Sequence, residues 1–449
     1  LPARTKQRLA GARGTVERTS TKGHVWQSLP AITLVALALR IVAIHFLYTD
    51  TWNNFREHLL FGFEIGRIAR SIAAGHGYGN PMYYETGPTA WMTPIYPYLL
   101  AGVFKLFGTY SRNSAFVILG LNSLFSALTC VPIFFIAQRS FGRNVAVVAC
   151  WMWALWPYSI YIASAFVWET SLSVLLLAIL FLWTLKLKED AGTWSWLGFG
   201  LLWGFSALTN ASLLAVFPFL AGWALCPLWR NRQAWIKPAT LVAFGLFIAL
   251  LPWQVRNYRT FHKPILLRDN FWLEVWIGND GHTATWVDIM AHPSVSDKEL
   301  AEFVRLGEIS YMQEKRRQAL DYISQHPGQY FVMSLRRFVY MWTAFWNLDP
   351  NNLEVEFHNP ANVYLTLSMT VVMLIGLWQA LRNSRQAAVP YLLVLLFYPV
   401  VFYLTHPEIR YRHIIEPEMI ILAALGVRYI VAELFRGFPE LARLLRRPA

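Results

Sequence analysis

Apolar residues along this chain gather in runs of about twenty, the length a helix needs to cross the hydrocarbon core of a bilayer. Such runs occupy 29–48, 113–137, 145–165, 168–187, 194–209, 211–228, 238–254, 361–381, 387–404 and 414–432. Two more, 93–108 and 330–348, are shorter or interrupted. The pattern predicts an all-α multi-pass membrane protein, a bundle of about ten transmembrane helices with interfacial helices and two large loops on one side. Composition points the same way: 56% of residues are hydrophobic and 14% charged, against about 25% charged in soluble domains.

Charge sets the orientation. Loops facing the cytoplasm are enriched in Lys and Arg, and the arm before the first run carries Arg4, Lys6, Arg8, Arg13, Arg18 and Lys22. If 93–108 lies flat at the interface, the loops bearing Arg139 and Arg143, Lys186 and Lys188, and Arg230, Arg232 and Lys237 all share the arm's side. The same parity keeps 330–348 on the outer surface and puts Arg382, Arg385 and the basic tail inside. The chain then divides into a basic cytoplasmic arm (1–28), a transmembrane module (29–254) that includes an external loop at 49–112, a second external loop with a helix (255–360), C-terminal transmembrane helices (361–432) and a basic cytoplasmic tail (433–449). The first run reads as a retained signal anchor and the location as a bacterial inner membrane, with both termini cytoplasmic. These loops account for the net charge of +13, so it does not point to nucleic acid. Cys130, Cys150 and Cys226 sit in or beside apolar runs and suggest neither a disulfide framework nor a CxxC metal site.

With that orientation the polar chemistry collects outside. The first external loop shows amphipathic helical character from Asn53 to Ala74, stopped by Gly75-His76-Gly77. Pro94 and Pro97 suit the first turn of a helix over 93–108. In the second loop Ser296 is placed to cap a helix over 297–325 that Pro327 follows. The short turn HPEIRYRH, 406–413, completes the outer set.

On a continuous helix Glu57, Phe61 and Glu64 share one face, with Arg67 and Arg70 in the next turn. A carboxylate there suits general-base work once desolvation or a neighbouring charge tunes it; the plainer role is an ion pair on a helix surface. Asp50 is a further acid of the same loop. Glu169 stands at the junction of two apolar runs, where an acid is costly unless paired or functional, although a helix start also favours it. Asn210 reads as a turn or cap residue. Arg256, Arg410, Arg412 and His413 are basic on the outer side, against the topological trend, and guanidinium pairs well with phosphate. Lys105 belongs with them; the alternative role for all is to reach lipid headgroups. His58, His76, His282 and His292 show no metal-ligand spacing, and GHGYG lacks the strand and GK[ST] of a phosphate loop.

The order of these features resembles the GT-C glycosyltransferases, in particular the bacterial members of the protein O-mannosyltransferase and aminoarabinose-transferase superfamily. The resemblance is carried by GRIARSIAAGHGYG, GPTAWMTPIYPYLLAGVFKLFG, VWETSL, LPWQVRNYRTFHKPILLRDNFWLEVWIGND, HPGQYF and HPEIRYRHIIEPEM. It implies a GT-C-like bundle and a reaction in which a sugar leaves a polyprenyl-phosphate carrier for an acceptor, with inversion. It also implies an acidic pair early in the first external loop. Registering IARSI on the family's helix puts that pair at Phe61 and Gly62, so Glu64 is the substitute base, Glu57 the second choice and Asp50 the third. Tyr96 and Lys105 match the family's segment near the carrier phosphate, Glu169 its acid between the third and fourth spans, and Arg256 its basic residue after the seventh.

The resulting expectation is a membrane glycosyltransferase, hexosyl or pentosyl, acting on the external side. Glu64, Glu57, Asp50 and Glu169 are the candidate catalytic carboxylates. Arg256, Lys105, Tyr96, Arg410, Arg412 and His413 are the candidate donor-phosphate residues, stabilising charge on the departing phosphate. No cofactor is expected; a divalent cation held by Glu64 and Glu169 is the less favoured option. The expected partners are a polyprenyl-phosphate-linked sugar, a lipid, glycan or protein acceptor and membrane lipids. The competing classes are a lipid or glycan flippase, against which no paired halves with interrupted helices are seen, and an envelope-assembly scaffold, which the missing acidic pair keeps open.

Overall fold

The computed structural model describes residues 25–47, 61–187, 192–283, 287–344 and 360–437. Among these the chain is helical throughout, with one isolated bridge, Gly79 to Pro88, and no strand. Helix α1 (Leu29–Leu47) leads to the first polar segment, which carries α2 (Glu64–Ala73) and α3 (Ile95–Phe107). Then come α4 (Arg112–Leu128), α5 (Cys130–Phe141), α6 (Arg143–Leu155), α7 (Pro157–Ala165), α8 (Thr170–Leu187), α9 (Thr193–Thr209), α10 (Phe217–Arg230) and α11 (Ile236–Phe261). The second polar segment carries α12 (Phe271–Gly278), α13 (Asp297–Leu306), α14 (Glu308–Gln325) and α15 (Pro327–Thr343). The chain ends in α16 (Pro360–Asn383), α17 (Arg385–Phe397), α18 (Val400–Leu404), α19 (Ile409–His413) and α20 (Glu416–Gly437).

Each of the ten expected apolar runs falls on helix. Among the described residues six helical stretches are long and apolar enough to cross a bilayer, and α6 with α7 makes a seventh, bent by 47°. The bend sits at Pro157, whose ring and missing N–H break the ladder. The runs at 194–209, 211–228 and 414–432 are α9 and α10, of 17 and 14 residues, and α20, which opens with Glu416 and Glu418. Helix α3, with 13 residues, is too short to span, as expected for 93–108.

Two expectations need correction. The helix predicted over 297–325 is two helices: Ser296 does cap the first, accepting from Glu299 N–H at 3.4 Å, but Gly307 takes a positive φ of 74° and separates α13 from α14. Pro327 then starts α15. The helix predicted over 53–74 begins only at Glu64 in its described part; Phe61, Gly62 and Phe63 form a turn, with φ of 74° at Gly62 and 40° at Phe63. A Cβ built at Gly62 would lie 2.5 Å from the Val167 carbonyl oxygen, so this turn is pressed against the segment before α8. Phe61 and Glu64 therefore do not share a helix face, and Glu57 and Asp50 lie outside the described residues.

Two apolar cores result. One fills the bundle, around Trp153, Phe181, Trp203 and Tyr391. Within it Arg40 is fully buried, and its guanidinium donates to Ser126 Oγ, Ser159 Oγ and the carbonyls of Ala36, Trp153 and Ala154, so no carboxylate is needed to satisfy it. The other core lies under the polar segments, where Phe61, Ile65, Trp91, Tyr96, Phe104, Leu273, Phe303 and Tyr311 pack together. Trp253 at the end of α11 donates to the Leu267 carbonyl at 2.7 Å, which fixes the start of the second segment against the bundle.

Candidate functional site

At the end of the bundle where α8 begins, α9 ends and α18 gives way to α19, the chain encloses a cavity of about 330 Å³. Two hydrogen-bonded sets of side chains stand in its wall. The first centres on Glu169. Its backbone carbonyl accepts from the N–H and the hydroxyl of Ser173, so the residue sits at the first turn of α8. Asn210 caps the turn after α9, accepting from Ser212 N–H and Oγ, and turns its amide to Glu169 Oε1 at 3.3 Å. Glu169 Oε2 is buried without a hydrogen-bond partner among the described residues. Burial pushes the Glu169 carboxyl above its ordinary range, against the pull of Arg410.

The second set joins the start of α12 to the turn after α18. Glu274 Oε1 accepts from Arg268 Nη2 at 3.0 Å and Asn270 Nδ2 at 2.9 Å, and Oε2 lies 2.9 Å from His406 Nε2. Burial pushes the Glu274 carboxyl up, but the hydrogen bond and charge of His406, with Arg268, outweigh it and hold it down to about 2. Tyr411 closes this side, stacked on Phe402 with ring centroids 4.5 Å apart. Arg410 lies over the Trp168 ring at 4.1 Å and is paired with Glu408. Leu266, in the cavity wall, also borders an apolar groove of about 400 Å³ lined by Leu251, Val255 and Tyr258 of α11. All three are exposed among the described residues, so the groove opens there on an uncovered face of α11.

Of the expected carboxylates that lie among the described residues, Glu169 lines this cavity and Glu64 does not. Glu64 starts α2 and is buried at a separate junction, where Ser294 Oγ donates to it at 2.6 Å and His292 Nε2 lies 3.9 Å away. Arg67, one turn on, is buried there too, 3.9 Å from the Tyr83 ring centre, with Nε and Nη2 unpartnered. The basic candidates separate similarly. Arg256 gives its guanidinium to the carbonyls of Thr89 and Tyr78, at 2.6 and 2.7 Å, and so ties the first polar segment to α11. Arg412 and His413 are buried on Glu416, at 2.7 and 2.6 Å, with Trp156 Nε1 on the same carboxylate. Tyr96 is buried and donates to Asn122 Oδ1, whose amide in turn reaches the Phe166 carbonyl; it supports the segment that carries Glu169. Lys105 is exposed in the last turn of α3. Arg410 alone of this group stands beside the cavity, next to Tyr411 in its wall.

Arg268, Asn270, Glu274 and His406 were not singled out from sequence. Their motifs were visible, but His406 and Glu274 are 132 residues apart, and no periodicity links them. Among the described residues no group of three or more His, Cys, Asp or Glu side chains is placed to hold a metal ion.

Residues 91–253 match the family model for dolichyl-phosphate-mannose-protein mannosyltransferase. No curated protein matches the chain by sequence. Among solved structures, the archaeal oligosaccharyltransferase AglB from Archaeoglobus fulgidus, in complex with an inhibitory peptide and a dolichol-phosphate, is similar at a TM-score of 0.54 and 15% identity, over 95% of this chain and 52% of that one. The apo form of the A. fulgidus oligosaccharyltransferase gives 0.54 and 15%, over 94% and 53%. ArnT from Cupriavidus metallidurans bound to undecaprenyl phosphate gives a TM-score of 0.35 at 15% identity, over 88% and 76–77% in its two structures' range, 77% for this one. The chain thus spans about half the length of the oligosaccharyltransferase structures. The fold is of the GT-C type, and the resemblance seen in the sequence holds.

Proposed function

We propose, from the GT-C fold and the mannosyltransferase-family match over residues 91–253, that this protein is a membrane glycosyltransferase that moves a sugar from a polyprenyl-phosphate carrier to a hydroxyl acceptor. The single observation that carries the reading is the cavity at the bundle end. One wall offers a carboxyl, an amide and a hydroxyl (Glu169, Asn210, Ser212), another a guanidinium and an imidazole (Arg268, His406), and Leu266 also borders an apolar groove on an exposed helix face. A phosphosugar on a prenyl chain has these three parts in this order.

In the proposed step the acceptor oxygen attacks the anomeric carbon and the bond from that carbon to the phosphate oxygen breaks. The phosphate leaves with the electron pair, and the acceptor proton passes to a carboxylate. A single displacement inverts the anomeric centre. The geometry favours Glu169 as that carboxylate, since Glu64 is enclosed with Ser294 away from the cavity. A group whose ordinary pKa is raised by burial is a stronger base when ionised. Arg268 and Arg410 stabilise the charge left on the phosphate. We place the cavity on the external side of a bacterial inner membrane, because the basic loops lie at the other end.

The test is transfer of radiolabelled sugar from a panel of polyprenyl-phosphate sugars by the purified full chain in detergent, beside Glu169→Gln, Glu64→Gln and Asp50→Asn. Transfer by the wild type that is lost in Glu169→Gln and kept in Glu64→Gln supports both class and base. Loss only in Glu64→Gln or Asp50→Asn keeps the class and moves the base to that residue. No transfer with any donor by folded protein overturns the reading in favour of a flippase or scaffold.

A further inference from the structure

The end of the bundle opposite the cavity holds a second cleft, of about 380 Å³, that the proposed reaction does not use. α17 and α18 form one 20-residue apolar stretch; the cavity lies at its far end, with Phe402 and Thr405, and the cleft at its start, with Ser384. The last turns of α5 and α16 and the second half of α20 wall the cleft, and Ser140, Gln379, Asn383, Arg428, Glu433 and Arg436 are among its polar side chains. Charge is unbalanced here. Glu433 accepts from Arg436 at 2.7 Å, while Arg382, Arg385 and Arg428 form no ion pair among the described residues. Arg382 and Arg436 lie in last turns, where a cation suits the negative end of the macrodipole. That reason does not cover Arg428, about 13 Å before the end of α20 at Gly437. Nor does it cover Arg385, first residue of α17, where the dipole opposes a cation. An anion in the cleft answers both. Tyr391, fully buried, donates to Ser140 Oγ at 3.0 Å, which leaves Ser140 its own hydrogen to give.

The rim of the cleft leads to an apolar surface. Tyr429 of the wall packs edge-on against Trp378, with ring centroids 5.6 Å apart, and Arg382 lies over the Trp378 ring at 4.8 Å. Trp378, Leu374 and Val371 share one face of α16 and are exposed among the described residues. Tryptophan beside arginine at the end of a spanning helix suits the membrane–water interface. We propose that this cleft binds the headgroup of an anionic phospholipid, with Arg428 and Ser140 giving hydrogen bonds to its phosphate and its acyl chains lying along Trp378, Leu374 and Val371. The phosphate diester supplies the missing negative charge, whereas a zwitterionic lipid sets an ammonium among the arginines. A soluble phosphate lacks the chains that the apolar strip receives. Basic pockets between spanning helices hold anionic headgroups by the same physics. The inference stands apart from the transferase reading and uses none of its residues.

The experiment is equilibrium binding of radiolabelled phosphatidylglycerol to the purified full chain in a non-ionic detergent, with phosphatidylcholine as the zwitterionic control and glycerol phosphate as a soluble competitor. Wild type is compared with Arg428→Gln, Asn383→Asp and Arg230→Gln, the last an exposed arginine at the end of α10 outside the cleft wall. The expected result is tighter binding of phosphatidylglycerol than of phosphatidylcholine by the wild type, and roughly tenfold weaker binding of phosphatidylglycerol by Arg428→Gln. Asn383→Asp, which puts a negative charge in the same wall, should weaken it at least as much. Arg230→Gln should leave it unchanged, and glycerol phosphate should not displace it. Arg428 and Asn383 are both exposed; if Arg428→Gln does not fold, Asn383→Asp decides. Equal affinity of the wild type and the cleft variants overturns the inference, as does equal binding of the two lipids by the wild type. An equal loss in Arg230→Gln means general surface attraction and overturns it too. Displacement by glycerol phosphate means a soluble-anion site and overturns the lipid assignment. Each of these failures leaves the transferase reading where it was, since sugar transfer is not measured.

Discussion

A single carboxyl at the start of α8 has most of the proposed chemistry resting on it. Glu169 has one oxygen held by Asn210 and the other without a partner, and burial raises its pKa. A base works only when ionised, so the rate should rise with pH through a limb displaced above the ordinary carboxylate range. The pH profile of kcat/KM for sugar transfer measures this. Glu169→Gln should lower the rate by about 10²–10⁴-fold and abolish that limb; a limb that persists in the variant belongs to another group. Sequence made Glu169 visible because an acid between two apolar runs is rare. It could not show the partners of Glu64 and Arg256, which are Ser294 and two backbone carbonyls. The same holds for Arg412 and His413: a basic turn reads as exposed until Glu416, one helical turn on, is found buried beneath it.

At the scale of elements, the two polar segments meet through a pair of acids. Glu308, first residue of α14, accepts from Thr89 Oγ1 and from Ala90 N–H at 2.6 Å, while both oxygens of the neighbouring Asp269 lack a donor among the described residues. Burial pushes the Asp269 carboxyl up to about 6, a hydrogen bond from Glu308 pulling the other way, while burial and then the charge of Asp269 raise Glu308 well above its ordinary range. One shared proton satisfies both. Because the folded pKa values are raised above the unfolded ones, this junction is most stable below the unfolded carboxyl range and loses that stability as pH rises through about 6. Hydrogen exchange over 262–278 and 297–312, corrected for its intrinsic pH dependence, should therefore report a loss on the order of 2–3 kcal/mol between pH 4 and 8. Asp269→Asn supplies a donor at any pH and should flatten the dependence; an unchanged profile would show that the pair does not share a proton. A second junction is steric. A Cβ at Gly376 of α16 would lie 1.8 Å from the Leu422 carbonyl oxygen, and one at Gly426 of α20 would lie 2.3 Å from that of Val372. Small residues let spanning helices approach this closely. Gly376→Leu should force α16 and α20 apart and cost about 1–3 kcal/mol or more, seen as a fall in the melting temperature in detergent. An unshifted melt would mean the helices are not in this contact. Neither junction was legible in sequence, since both depend on which distant segments come together. Helix existence was legible, because twenty-residue apolar runs and a capping serine act locally.

For the whole molecule the open matter is which end faces out. The polar cavity lies where α18 ends, and α17 and α18 form one 20-residue apolar stretch, so the start of α17 lies a bilayer's thickness away. At that far end the last turns of α5, α16 and α20 meet the start of α17 around a cleft with Arg428 and Arg436 in its wall, and Arg382 and Arg385 flank it. Positive loops are retained in the cytoplasm, so the cavity end should be external. Two exposed positions test this by single cysteine substitution in a background without Cys130, Cys150 and Cys226. Met290, between α12 and α13, belongs to the cavity end, and Ser384, between α16 and α17, to the other. A membrane-impermeant maleimide added to intact cells should label Met290→Cys at once and Ser384→Cys only after permeabilisation. The reverse pattern would put the cavity in the cytoplasm, where the donor sugar would have to be presented on the inner leaflet, and the orientation read from charge would fall while the bundle and its cavity stood.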